Sequence, residues 1–417
     1  MEPGPYGPER TTPRGIEERF PRLIGTMSDS AYLDHAASTP MRPAAVAAML
    51  PFLAEHPGNP SGSHGAARAA KTALEEARET VADVLGCRPD EVVFTSGGTE
   101  ADNLAIKGGA RAARRDHGLD GVVTTAFEHK GVLAAAHRLE SEGFRVVEAG
   151  VTRGGIVDVD ELALHLDART ALVSVMAVNN EVGTIQPLPE IANLVRERAP
   201  SALLHTDAVQ AVPWVDVSVL ASGFDLIAIS GHKFGGPKGV GALVVRHGVA
   251  LDPEIEGGGQ ERGVRAGTVN VAGVVALATA LRITHETRAE ETVRIAALRD
   301  RLRDGLIARI PGLWVNGTPD RTTAGHLHVG FPGTESEALL VVLDQRGLYA
   351  AAGSSCSSGA TEISHVLGAM GMSKDNASAS VRFSLGFAST DADVDFALQV
   401  IPEAVAQLHP GTVVSAA

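Results

Sequence analysis

Short apolar runs alternate with amphipathic stretches along most of the chain from Ala31 onward. Seven of the runs have the length of buried strands, and most of them are rich in β-branched residues. These runs are Glu91–Ser96, Gly121–Phe127, Phe144–Glu148, Ala171–Val178, Ala202–His205, Phe224–Ser230 and Gly241–Arg246. Helix-like stretches such as Lys130–Glu142 and Pro189–Ala199 separate several of them, so the pattern predicts βαβ units in a mostly parallel, doubly wound α/β sheet.

One amphipathic stretch predicts a helix with a defined end. Between Thr72 and Gly86, the apolar residues Leu74, Val81 and Leu85 fall on one helical stripe. Gly86 stands where a left-handed residue would end the helix, because glycine takes that backbone conformation without a steric penalty.

The pattern changes in the last third of the chain. Val293 to Ile310 predicts a long helix, and strands are predicted near Leu327–Gly330 and Val381–Leu385. We therefore expect a large domain over residues 41–290 and a smaller α+β domain formed by residues 31–40 and 291–417. Residues 1–30, which are rich in proline and in charges of both signs, are expected to form a poorly ordered N-terminal extension.

Composition excludes several classes of protein. The chain of 417 residues has 50 acidic and 36 basic side chains and a formal charge of −14, so direct binding to nucleic acid is not expected. Cys87 and Cys356 are its only cysteines, which excludes a disulfide scaffold or a CxxC-type zinc site. We expect no metal site, no membrane span and no export signal, and a cytoplasmic protein.

Polar residues follow five of the predicted strands. The five segments are Gly97–Glu100, Glu128–Lys130, Asn179–Glu181, Thr206–Gln210 and Gly231–Lys233. Each segment alone has an ordinary explanation as a turn, a helix cap or a solvated loop. Because ligands of open α/β sheets bind beyond the carboxyl ends of the strands, the five together predict a binding site at that edge.

The chemistry of three of these segments is that of a pyridoxal phosphate site. Gly97, Gly98 and Thr99 could turn tightly and present N–H groups and a hydroxyl to a phosphate. Lys233, between small residues, could form a Schiff base, although an exposed lysine is the more common case. Asp207 could keep a pyridine nitrogen protonated, with a helix cap as its ordinary alternative.

The chain from about Tyr32 to about Leu398 resembles the cysteine desulfurases, which are fold-type I pyridoxal phosphate enzymes of the class-V aminotransferase family. The resemblance is to the group with a long cysteine-bearing loop. It is carried by YLDHAASTP (32–40), GNPSGSH (58–64), TSGGTEADNLAIKG (95–108), EHKGVL (128–133), VNNEVGTIQP (178–187), HTDAVQ (205–210), SGHKFGGPKGVGAL (230–243), GGGQERGVRAGT (257–268), AAGSSCSSG (351–359) and SVRFSLG (380–386).

The resemblance assigns a role to each matching residue. Lys233 would hold the cofactor as a Schiff base, Asp207 would pair with the pyridinium nitrogen, and Gln210 would contact the phenolic oxygen. The expected phosphate contacts are Gly98, Thr99, Ser230 and His232, with Thr268 reaching across from the other subunit of a homodimer. His129 would stack on the ring and carry protons, Asn180 and Arg382 would orient the amino acid, and Cys356 would be the catalytic thiol.

The implied reaction is the conversion of L-cysteine to L-alanine with a persulfide left on Cys356. Gly353 and Gly359 bracket Cys356 among serines, with no apolar neighbour to bury it, whereas Cys87 fits a small packed side chain. Transamination or selenocysteine lysis would share the cofactor site, but transamination would not need the thiol. An inactive scaffold would need neither the site nor the thiol. The sulfur acceptor stays open between an iron–sulfur scaffold, a thiolation enzyme and cofactor biosynthesis.

Overall fold

The structure is a computed structural model that describes residues 30–352 and 364–408. The predicted N-terminal extension, up to residue 29, and Cys356 with its serine- and glycine-rich surroundings lie outside the described residues.

Three sheets are built from short strands. The strands are β1 (Ala31–Tyr32), β2 (Val92–Thr95), β3 (Gly121–Thr125), β4 (Arg145–Ala149), β5 (Thr170–Ser174), β6 (Leu203–Asp207), β7 (Leu226–Ser230), β8 (Gly241–Val245), β9 (Trp314–Val315), β10 (His326–Gly330), β11 (Leu348–Tyr349) and β12 (Ser380–Ser384). The largest sheet has seven strands in the order β2-β8-β7-β6-β5-β3-β4. β8 is antiparallel to both of its neighbours and the other pairs are parallel, so the chain has the predicted fold-type I α/β architecture.

Helices connect the strands of the large sheet. They are α1 (Pro43–Ala54), α2 (Gly65–Leu85), α3 (Gly98–Asn103), α4 (Gly109–His117), α5 (Lys130–Glu140), α6 (Val159–Leu164), α7 (Leu188–Arg198) and α8 (Val217–Leu220). A π-helical turn, Leu104–Gly108, joins α3 to α4. The predicted end of α2 is confirmed, because Gly86 takes the left-handed conformation with φ 63° and ψ 44°.

The large sheet is buried on both faces, which explains why its strands are almost wholly apolar. In β7, Ile227 and Ile229 point into one apolar cluster, while Leu226 and Ala228 point into another on the opposite face. The first cluster contains α2 and α7 residues, and the second contains residues of α5 and of the π-helical turn. The alternation along β7 therefore covers the sheet with helices on both sides.

A second group of elements packs around its own apolar cluster. It consists of the C-terminal half of α9 (Val271–Arg309), α10 (Ser336–Gln345) and α13 (Asp391–Leu408), with the smaller sheets β12-β10-β9 and β1-β11. Two short helices, α11 (His365–Ala369) and α12 (Lys374–Ser378), pack their apolar residues into the first cluster instead. Leu302, Phe331 and Phe383 lie at the centre of the second cluster. Ala31 and Leu33, from the beginning of the described chain, pack into it as well. The domain boundaries given above stay a prediction.

The predicted long helix begins earlier than its sequence pattern indicates. Its observed start is Val271 rather than Val293, and it continues without a break to Arg309. From Ala272 to Leu281 the missed part is buried on several sides, so this stretch has no polar face to reveal a helical period. Among the described helices, none is both long enough and apolar enough to span a membrane.

Candidate active site

The five polar segments lie at one edge of the large sheet, as predicted. β3, β5, β6 and β7 are parallel, and β2 points the same way because both it and β7 are antiparallel to β8. The carboxyl ends of all five strands therefore open toward the same side, where the segments following them meet.

The turn after β2 forms a narrow backbone cradle. Gly97 has φ 152°, a conformation that favours glycine, and a Cβ on Gly98 would lie 2.7 Å from Val209 Cγ2. Ser230, buried at the end of β7, lies beside the same turn. Among the described residues no side chain caps the start of α3, and Thr99 is exposed there. The backbone N–H groups at the start of α3 would suit an anion of the size of a phosphate group.

Asp207 is a buried carboxylate that needs a cationic partner. Its side chain ends β6, is 5% exposed, and accepts a hydrogen bond from Val209 N at 2.9 Å. Burial raises the pKa of Asp207, while the nearby His129 and Lys233 favour its charged form. A protonated ring nitrogen is a partner of the required charge and size.

His129 begins helix α5 and lies close to Asp207. Its Nδ1 accepts a hydrogen bond from Gly131 N at 3.0 Å, so the neutral imidazole carries its hydrogen on Nε2. Burial is the main reason that the pKa of His129 is lowered, which favours this neutral form. One carboxylate oxygen each of Asp102 and Asp207 and one ring nitrogen of His129 lie within 4.8 Å of one another. The Lys233 cation beside Asp207 makes this group a poor metal site.

Lys233 and Gln210 meet at the same carbonyl group. Lys233 follows β7 in a single turn of 3₁₀ helix, and its Nζ donates to Ala36 O at 2.6 Å and to Ala37 O at 3.0 Å. Gln210 Nε2 donates to Ala36 O at 2.8 Å. The segment after β1 thus supplies acceptors that hold the amine at the sheet edge. In the adjacent His232, burial and neighbouring lysines lower the pKa to about 4.

Arg382 is buried in β12 and contacts two groups of the candidate site. Its Nη1 donates to Asn180 O at 2.8 Å, and its Nη2 pairs with Asp34 Oδ1 at 2.7 Å. The structure thereby brings Asn180 and Arg382 together, and their roles in orienting an amino acid stay a prediction. Asp34 was not predicted as a site residue, although it lies in the quoted segment YLDHAASTP.

Thr268 is exposed in a loop that is tied firmly to the large sheet. Glu261 in this loop has φ 45° and accepts two hydrogen bonds from the buried Arg78, at 2.7 and 3.0 Å. Arg265 Nε donates to Glu100 Oε1 at 2.8 Å, which fastens the loop to the start of α3. The contact of Thr268 with a second subunit stays a prediction.

The two described ends of the segment that carries Cys356 lie at the candidate site. Ala351 exchanges backbone hydrogen bonds with Arg382, at 2.7 and 3.2 Å. Beyond the segment, Ser364 Oγ donates to Glu181 Oε2 at 2.5 Å, next to Asn180. The described residues on either side of the segment that carries Cys356 therefore lie beside the residues expected to bind the amino acid.

Cys87, by contrast, packs against the large apolar cluster just after α2. Burial raises the pKa of its thiol to about 11, which keeps it protonated and weakly nucleophilic near neutral pH. This is the packed role expected for it.

Comparison with known proteins identifies relatives over nearly the whole chain. The pattern of the family described as aminotransferase class-V matches residues 31–396. A protein of Methanosarcina thermophila named cysteine desulfurase IscS is 43% identical over 386 residues, covering 93% of this chain and 94% of that protein.

Solved structures show the same similarity. One titled NifS-like protein superposes with a TM-score of 0.85 at 36% identity, covering 91% of this chain and 100% of the other. A second, titled SspA in complex with cysteine, has a TM-score of 0.75 at 33% identity and covers 85% of this chain and 99% of the other.

Proposed function

The chain belongs to the class-V aminotransferase family, and within that family we infer that it is a pyridoxal-phosphate-dependent cysteine desulfurase. It would take sulfur from L-cysteine, release L-alanine and leave a persulfide on Cys356. The observation that carries this proposal is the convergence of Asp207, Lys233 and the Gly97–Gly98 cradle at the sheet edge, beside Arg382.

The residues of the sheet edge fit pyridoxal phosphate. Gly98, Thr99, Ser230 and His232 would hold its phosphate, Asp207 its ring nitrogen, Gln210 its phenolic oxygen and Lys233 its aldehyde carbon. When bound, the cofactor supplies an electron sink that makes the α-hydrogen of an amino acid acidic. The buried Asp207 serves this chemistry by keeping the ring nitrogen charged.

Lys233 and His129 are the groups that would move protons. The amine of Lys233 is held by Ala36 O and Ala37 O, which orient it at the sheet edge. Once displaced from the cofactor, this amine would take the α-proton of the substrate and return it elsewhere on the reacting carbon framework. His129, with a hydrogen on Nε2 and a lowered pKa, can pass a proton without adding a fixed charge.

Cys356 would receive the sulfur. Its thiolate attacks the substrate sulfur, forming an S–S bond while the bond from that sulfur to Cβ breaks. The electron pair stays on the β-carbon, which takes a proton and becomes the methyl group of alanine. The balance is L-cysteine plus protein thiol giving L-alanine plus protein persulfide, so no external oxidant is needed.

One incubation tests the proposed function. The purified protein with pyridoxal phosphate, L-cysteine and a thiol reductant should release alanine and sulfide in equal amounts, because the reductant frees the sulfur from the persulfide. Alanine without sulfide, or pyruvate in place of alanine, would contradict the proposal. Transamination would instead depend on an added keto acid.

Asp34→Asn is expected to weaken substrate binding. Asp34 holds the Arg382 guanidinium through Nη2, and a bond to a charged group is worth about 1.5–3 kcal/mol, so KM for cysteine should rise roughly tenfold. The rate at saturation and the cofactor absorbance should change by less than about twofold, because no cofactor contact is lost. Steady-state kinetics measure both.

The control for Asp34 is Asp391→Asn, which removes an exposed partner of Arg301 far from the site and should leave KM unchanged. A lower KM in the Asp34→Asn protein would contradict the expected role. It would mean that Asp34 competes with the substrate carboxylate for Arg382.

The enzyme is proposed to work as a homodimer in which Thr268 completes the partner's phosphate site. Thr268→Ala should bind the cofactor weakly. When it is combined with inactive Lys233→Ala subunits, heterodimers should regain about half of the wild-type activity, because one of the two composite sites then carries neither change. Activity of purified heterodimers with two affinity tags measures this, and no recovery would contradict a shared site.

The sulfur on Cys356 is proposed to pass to another protein, such as an iron–sulfur scaffold or a thiolation enzyme. The relative named IscS and the negative charge of the chain support a protein acceptor rather than nucleic acid.

A further inference from the structure

A second buried carboxyl lies next to Asp207. Asp102 belongs to α3, four residues beyond Gly98, and its side chain is only 1% exposed. Asp102 and Asp207 have oxygen atoms within 4.8 Å of each other. The mechanism given above assigns no task to Asp102.

Two imidazoles lie close to Asp102 within the described residues. One is that of His129, and the other is that of His205. His205 is fully buried in β6, with its Nε2 3.5 Å from Asp102 Oδ1. On the other side of the ring, Nδ1 lies 2.8 Å from Ser174 Oγ. Across residues 30–352 and 364–408, neither Asp102 Oδ1 nor His205 Nε2 has a hydrogen-bond partner among the other residues. The two atoms are thus left to satisfy each other.

Two carboxylates so close together in a dry site cannot both stay charged. Asp207 is the better placed to keep the charge, because Val209 N donates to it and His129 and Lys233 lie nearby. The ionisable groups that act on Asp102 are Asp207 and Glu128, both acidic. Burial raises the pKa of Glu128 to about 8, so Asp207 is the charged one at neutral pH. Burial and these two groups raise the pKa of Asp102 well above its ordinary value.

Among the elements packed against α3, β2, β7 and β8 contain no ionisable side chain. Lys107 of the π-helical turn pairs with Glu254, Glu100 of α3 pairs with Arg265, and Lys130 at the start of α5 is exposed. His129 caps that helix and lies toward Asp207.

His205 can accept a hydrogen bond from a protonated Asp102. Burial lowers the pKa of His205 to about 3, so its ring is neutral at physiological pH. With Nδ1–H donating to Ser174 Oγ, Nε2 has a lone pair directed at Asp102 Oδ1. Asp102 Oδ1 and His205 Nε2 then satisfy each other, which a charged Asp102 beside an unprotonated Nε2 would not provide.

We propose that Asp102 is a positioning residue that stays protonated and donates to His205, so that the single negative charge at this end of β6 remains on Asp207. The inference rests on the proposed function, since the charge on Asp207 matters because a cofactor ring nitrogen must stay protonated beside it. If the charge were shared between the two carboxyls, the ring nitrogen would lose part of its counter-ion and the electron sink would weaken.

Infrared spectroscopy of the holoenzyme tests the protonation directly. Protein labelled with ¹³C in the aspartate carboxyl groups should show the isotope-shifted C=O stretch of a protonated carboxylic acid at pH 7, and the label excludes the buried Glu128. The band should vanish in Asp102→Asn and persist in Asp225→Asn. Asp225 is the matched control, because its carboxylate accepts from Leu204 N at the opposite end of β6.

Three results would overturn the proposal. The first is the absence of the labelled band in the wild-type protein, and the second is its survival in Asp102→Asn. The third uses His205→Gln, which keeps the test decisive even where Asp102→Asn does not fold. The band should move in that variant, because the partner of the proton changes, and an unmoved band would show that the proton is not held by His205.

The cofactor reports on the charge in a second way. The side-chain amide that Asp102→Asn introduces can donate to His205 as the protonated acid does, so cofactor affinity and the pH dependence of cofactor absorbance should match wild type within about twofold. Asp102→Leu has no donor and should bind the cofactor at least fivefold more weakly. Tighter binding by Asp102→Asn would mean that Asp102 is charged. None of these readouts depends on alanine or sulfide release, so their failure differs from failure of the proposed function.

Discussion

Replacing Lys233 with alanine is expected to abolish covalent attachment of the cofactor and to reduce alanine formation by roughly 10²–10⁴-fold, the range expected for loss of a catalytic acid–base group. The amine that Ala36 O and Ala37 O orient would be missing, and no other lysine is assigned to the site. Cofactor absorbance and mass spectrometry after borohydride reduction measure the bond directly.

Lys238→Ala is the matched control for this substitution. Lys238 lies five residues further along the same glycine-rich segment, is exposed, and should leave both the bond and the activity intact. A borohydride-stable adduct on another lysine of the Lys233→Ala protein would show that Lys233 is not the attachment point.

Cys356→Ser is expected to separate cofactor chemistry from sulfur transfer. The cofactor should stay bound and still respond spectrally to cysteine, because Lys233, Asp207 and Arg382 are unchanged. Persulfide formation should stop and alanine release should fall by roughly 10³-fold or more, since a serine hydroxyl is hardly ionised near neutral pH and attacks sulfur poorly. Mass spectrometry after brief exposure to cysteine detects the one-sulfur adduct.

Cys87→Ser provides the comparison on the other cysteine. Cys87 is packed below the surface with a pKa of about 11, so its replacement should leave nearly all activity and the adduct intact. An adduct on Cys87, or full alanine release by Cys356→Ser, would favour a lyase or a transaminase that does not use the loop.

The strands of the large sheet could be predicted because each is a short, doubly buried run. β-branched residues without a polar alternation mark such strands even in a single sequence, and the observed ends of β2, β7 and β8 lie within two residues of those expected. The beginning of α9, from Val271 to Leu281, was missed because apolar residues surround the helix there instead of forming a stripe.

Only those parts of the site whose segments have a recognisable chemistry could be predicted from the sequence. The edge of the sheet and the residues after β2, β6 and β7 followed from strand direction and the family resemblance. The pairing of Asp34 with Arg382 joins residues 348 positions apart, and no local pattern indicates that contact. The approach of Asp102 to His205 likewise depends on how α3 lies on β6, which the order of residues does not reveal.

The continuous helix α9 also bears on the cooperativity of unfolding. At a rise of 1.5 Å per residue its 39 residues extend about 58 Å, with Leu277 and Leu281 in the core of the large sheet and Leu302 and Leu306 in the second core. A helix loses its hydrogen bonds progressively from any point where packing is lost. Melting of either core would therefore expose the helix that stabilises the other, so the two cores are coupled into one thermodynamic unit through a single element of secondary structure.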